Sequence, residues 1–163
     1  MTSAVSVALA VVALGPAGIG AIHFGLPKAK TVAALDARFG APTWRGENTG
    51  CGAKFTEVEW GTLVVEFRSG VFTGYRSLAG GFADVVHGAP RATALTPNVA
   101  TARSVKLGST LAQVRAAYGS LRRVGADSWR APNGIVFVDN AKRDPVPASS
   151  RIVEIKIDTC GAF

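Results

Sequence analysis

The chain has 163 residues, 48% hydrophobic and 18% charged, with two cysteines and a formal net charge of +7. That length fits one domain, or two very small units sharing a core, and the apolar fraction excludes intrinsic disorder. No run of about eighteen apolar residues occurs, which excludes a multi-pass helical membrane protein.

Residues 4–14 form an uncharged, apolar run broken only by Ser6. Its length suits the hydrophobic core of a secretory signal and is too short to span a bilayer. No basic residue precedes it, so the alternative is an ordinary buried strand or helix. Residues 19–24 then read as a short strand ended by Gly25. Pro27 opens a helix with Val32, Leu35 and Phe39 on one face, and Gly40 and Pro42 stop it. A Gly/Asn-rich loop containing Trp44 leads to three strand-like runs, 54–60, 63–67 and 71–78. Gly61-Thr62 and Ser69-Gly70 separate these at hairpin distance.

Residues 80–97, rich in Gly, Ala, Pro and Thr, read as a linker or surface loop. Strand-like 102–107, Gly108 and an N-cap at Ser109 follow. A short helix then carries Leu111, Val114, Ala117 and Tyr118 inward before Gly119. Pro132-Asn133-Gly134 predicts a turn into a strand over 135–139. The final run, 151–158, alternates strictly. Ile152, Glu154, Lys156 and Asp158 share one face, and Val153, Ile155 and Ile157 the other.

The basic excess is uneven. Between Arg91 and Arg130 lie Arg91, Arg103, Lys106, Arg115, Arg122, Arg123 and Arg130, against the single acid Asp127. Such a field favours anionic partners. No basic helix or basic-aromatic platform accompanies it, so nucleic acid is not the expected partner.

Cys51 and Cys160 are each flanked by glycine. They are either two buried free thiols or a disulfide, and the loop-like setting favours the disulfide. Closing a loop of that length contributes roughly 4–5 kcal/mol in the chain-entropy model. Together with the apolar leader this points to an extracytoplasmic location, secreted or in the cell envelope. With His23 and His87 these thiols lack metal-ligand spacing, so no metal or cofactor is expected.

Catalytic constellations are sparse. Cys51 and His87 could form a thiol nucleophile and base, which would make a small envelope hydrolase or transpeptidase. A disulfide at Cys51 removes that reading. Asp84 and His87 lack a Gly-x-Ser-x-Gly elbow. Glu57 and Glu59 share one strand face, which is expected to be solvated.

The two halves share one plan. Phe24-Gly25, helix, Phe39-Gly40 is echoed by Leu107-Gly108, helix, Tyr118-Gly119, and Trp60-Gly61 with 63–67 is echoed by Trp129 with 134–137. These residues, with Val32 and Val114 inside the helices, resemble the tandem αβ repeat of the β-lactamase inhibitor protein family. The texture is also similar to that of exported proteins of actinobacterial type. The resemblance implies an α+β fold of two tandem repeats, each a short helix packed on an antiparallel β-meander. One departure is that the family carries a disulfide within each repeat, whereas here one cysteine lies in each half, so a bridge would tie repeat to repeat. No contact residue of that family transfers.

The expected organisation is an apolar N-terminal segment or signal remnant at 1–14, a first repeat at 15–80, a linker at 81–98 and a second repeat at 99–163, sharing one compact domain. The expected function is a non-catalytic exported binding module directed to a protein or anionic envelope component. A structural envelope protein is a further alternative. The candidate binding residues are Trp44, Tyr75, Trp129, Arg122 and Arg123, on the solvent face of the sheets and their loops.

Overall fold

The computed structural model describes residues 11–50, 53–79, 97–141 and 144–157. The chain is α+β and mostly strand. A four-stranded sheet has the order β3-β2-β1-β8, and an eight-stranded antiparallel sheet has the order β4-β5-β6-β7-β12-β11-β10-β9. The first half holds β1 (Val12–Gly15), β2 (Gly18–Ile19), β3 (Ile22–His23), helix α1 (Lys28–Phe39), β4 (Trp44–Gly50), β5 (Ala53–Trp60), β6 (Leu63–Arg68) and β7 (Val71–Leu78). The second holds β8 (Val99–Thr101), helix α2 (Leu111–Tyr118), β9 (Arg122–Arg123), β10 (Ser128–Arg130), β11 (Ile135–Asp139) and β12 (Ile152–Ile157).

Side chains opposite one another in an antiparallel pair share a face, so register defines two faces of the large sheet. One face runs Trp60, Leu63, Ser77, Ile155, Phe137, Trp129, Arg123 from strand to strand. Both helices pack here. The Trp60 indole donates to Asp36 Oδ1 (3.1 Å) and to the Gly40 carbonyl (3.0 Å) at the end of α1, and the Tyr118 ring of α2 lies 5.3 Å from Phe137. Leu35, Val114, Val58, Val65, Phe72 and Ile152 complete one continuous core.

Each helix starts from the same backbone arrangement. Gly25 N donates to Phe72 O and Phe72 N to Leu26 O, while Gly108 N donates to Ile152 O and Ile152 N to Ser109 O. Lys28 N bonds Gly70 O, as Leu111 N bonds Ser150 O. Gly25 and Gly108 take matching positive φ values of 86° and 81°, a conformation that glycine adopts without strain. The two halves meet at β7·β12, through Arg76↔Lys156, Ser77↔Ile155 and Leu78↔Glu154. They meet again in the small sheet, where β1 runs parallel to β8.

Several expectations change. The Gly/Asn-rich segment is an edge strand, β4, paired with β5 along its whole length. Its composition is poor in strand formers, so pairing rather than propensity sets its conformation. Val12 and Leu14 are buried in the common core, so β1 is part of the folded unit. The strand expected over 19–24 is a pair of two-residue strands. The one expected over 102–107 is a turn following β8, with Thr101 N bonded to Val105 O.

The second helix is capped by Thr110, one residue later than expected. Thr110 Oγ1 accepts from Gln113 N while the Gln113 side chain accepts from Thr110 N, a capping box. Strict alternation in β12 fails because the register shifts between Val138 and Asp139. Ile152 therefore reaches the core together with Ile155.

Candidate binding face

The other face of the large sheet carries the charge. Successive register partners run Trp44, Glu59, Val64, Arg76, Lys156, Val136, Arg130 and Arg122, one residue from each of the eight strands. Among the described residues, neither helix packs on this side.

In the first half this face buries three carboxylates, and Arg76 compensates two of them. Glu57 is fully buried, and Glu59 and Glu66 nearly so. The Arg76 guanidinium forms an ion pair with Glu57 and lies 3.1 Å from Glu66, while Asn48 donates to Glu57 Oε2 at 3.2 Å. Arg68 stacks over the Phe55 ring at 5.5 Å. The expectation that Glu57 and Glu59 form a solvated face is therefore wrong, although they do share a face. A carboxylate is tolerated in such burial because a cation and hydrogen-bond donors converge on it.

The second half of the face is richer in cations. Lys156 pairs with Glu154 at 3.4 Å, and Arg130 and Arg122 stand directly opposite each other on β10 and β9. They line one cleft of about 560 Å³ together with Ser120, Leu121, Ala131 and Pro132. Arg122 is exposed and Arg130 half-buried. Two guanidiniums converging on one cleft suit a carboxylate or phosphate group, which each can grip with paired N–H donors.

The residues singled out in the sequence do not converge. Trp44 is half-buried on the charged face of edge strand β4 rather than in a loop. Its indole lies over Gly46, where any Cβ would overlap the ring. Arg122 occupies the opposite edge of the same face. Trp129 and Arg123 lie on the helix side. There the Trp129 ring has the guanidiniums of Arg115 and Arg123 at 5.0 and 5.7 Å, and its Nε1 donates to buried Asp139 at 2.7 Å.

Tyr75 is not a surface residue at all. It is fully buried on β7, its hydroxyl donates to Gly15 O at 2.9 Å, and burial pushes its pKa well above the usual phenolic value. An aromatic at a strand position facing a helix layer is core, and the alternation of β7 already placed it opposite Val65. Cys51, Cys160 and His87 lie outside the described residues.

Sequence reasoning missed Arg76, Lys156 and Arg130 as a set. The signal was the cross-strand register, which no single run of sequence carries. No group of three or more potential metal ligands occurs among the described residues, and no described helix is long and apolar enough to cross a membrane.

No protein-family model, curated protein or solved structure matches this chain. The functional reading therefore rests on the charged face itself.

Proposed function

We propose that this chain is a non-catalytic, exported binding module built by duplication of one helix-plus-four-strand unit. The matched helix-start hydrogen bonds and the symmetric strand order β4-β5-β6-β7-β12-β11-β10-β9 support the duplication. They also support a likeness in plan to the β-lactamase inhibitor protein family. Export is supported by the glycine-flanked cysteine pair.

The observation that carries the binding reading is the Arg122–Arg130 pair opening on one cleft at the cation-rich half of the charged face. The partner is an anionic protein surface or envelope component. Its carboxylates or phosphates would meet Arg122 and Arg130, with Lys156 adding to the field.

The test is capture of envelope and medium fractions of the native host on the immobilised protein. The double variant Arg122→Glu/Arg130→Glu should abolish capture with the fold intact, and added salt should weaken it. Capture unchanged by the double variant overturns the choice of site. Intact mass with and without reduction addresses export: a processed, oxidised chain outside the cytosol is expected, and an unprocessed cytosolic chain with two alkylatable thiols overturns it.

A further inference from the structure

The two edges of the eight-stranded sheet are unlike. β9 is two residues long, whereas β4 runs for seven and pairs with β5 from Trp44↔Glu59 to Gly50↔Ala53 without a register shift. Among the described residues no strand pairs with the outer side of β4. A long, regular edge with no proline and no bulge is a template for strand addition, and proteins usually blunt such edges.

We infer that β4 is the interface of a homodimer, pairing antiparallel with β4 of a second copy about a two-fold axis at Gly46. The side-chain pattern selects this occupant and this register. Arg45 and Glu47 project from the same face and both are exposed. A two-fold axis at Arg45 would set arginine against arginine, and one at Glu47 would set glutamate against glutamate. An axis at Gly46 sets Arg45 opposite Glu47 of the second copy, twice.

The flanking charges extend the match. Arg45 lies 3.8 Å from Asp36, and Glu47 lies 3.4 Å from Lys54. Asp36, Arg45, then Glu47 and Lys54 of the second copy thus alternate in sign on each side of the axis. On the other face, Gly46 carries no Cβ and the Trp44 indole lies over it. The two indoles therefore approach each other at the axis, where an aromatic pair adds apolar contact. This inference is independent of the anion cleft, which lies at the opposite edge of the sheet.

Sedimentation equilibrium of the full chain, from micromolar to about 1 mM, tests it. A monomer–dimer equilibrium is expected. Arg45→Glu and Glu47→Arg should each weaken it about tenfold or more, because each places like charges opposite one another. The double variant Arg45→Glu/Glu47→Arg should restore it in part, because opposite signs again face each other across the axis while Asp36 and Lys54 now meet like charges. Hydrogen exchange on the unaltered chain provides a readout free of any variant: β4 amides should exchange more slowly as concentration rises. A mass that stays monomeric throughout overturns the inference. So does a dimer that leaves β4 exchange unchanged, or one insensitive to the single reversals.

Discussion

Tyr75 on β7 donates its hydroxyl hydrogen to the Gly15 carbonyl on β1, 2.9 Å away, so one side chain joins the large sheet to the small one. Phe24 stacks on the Tyr75 ring at 6.2 Å and meets Phe72 edge-on at 4.8 Å, which seals the junction with aromatic surface.

Tyr75→Phe keeps that packing and leaves the Gly15 carbonyl without its donor. The expected cost is about 1–2 kcal/mol, read as a lower urea midpoint with an unchanged slope. Burial raises the Tyr75 pKa, so the folded state holds the phenolic proton more tightly than the unfolded chain does. The stability this contributes is fully present below the unfolded value of about 10 and is lost as pH rises above it. Urea titrations at rising alkaline pH should show the decline, and Tyr75→Phe should remove that share of it.

Arg76 faces Glu57 and Glu66 in the charged face. Arg76→Met removes the guanidinium and leaves Glu57, fully buried, with Asn48 as its remaining described donor. A loss of about 3–5 kcal/mol is expected, the scale for stranding a buried charge. Glu57→Gln combined with Arg76→Met should recover part of it in denaturant unfolding, since both members of the pair are then neutral.

Ser77 sits at the centre of the helix-side row, opposite Leu63 on one strand and Ile155 on the other, and its buried Oγ has no hydrogen-bond partner among the described residues. Ser77→Ala should therefore raise stability, by up to about 1 kcal/mol, because it deletes a desolvated hydroxyl and leaves only a small void. A rise in the thermal midpoint is the expected result. A fall would mean the hydroxyl has a role beyond packing.

Trp129 anchors the far end of the helix side through Asp139 and two arginines. Arg115→Ala should cost about 0.5–1 kcal/mol and shift tryptophan emission to the red as the ring gains water. Trp129→Phe should cost more, because the buried Asp139 carboxylate loses an indole donor and keeps, among the described residues, only the Ala141 N–H on its other oxygen.

What could be read from residues alone was local. α1 follows from Pro27, Leu35, Phe39 and Gly40, and the β6–β7 hairpin from its apolar runs flanking Ser69-Gly70. β4 could not be read, because Gly46, Glu47 and Asn48 disfavour a strand and take one up only by pairing with β5. The faces of β12 were misread for a related reason: a bulge at Val153 of β12, opposite Val138 and Asp139 of β11, moves Ile152 to the core, and a bulge is a property of two strands. The candidate site was legible in type, as basic residues and tryptophans. It was illegible in grouping, because Arg76, Lys156, Arg130 and Arg122 become neighbours only through register. Tyr75 had the composition of an interface residue and the depth of a core one.

Among the described residues the two halves pair strands along two separate seams, β7·β12 in the large sheet and β1·β8 in the small one, and every other strand pairing joins close neighbours in the chain. With any Cys51–Cys160 bridge reduced, a cut between Ala79 and Pro97 would thus release two pieces that each keep their hairpins and each expose a matching pair of raw borders. Such fragments are built to find each other. Mixed in solution they should reassemble across both seams, which makes the protein a natural candidate for splitting into a self-complementing reporter pair.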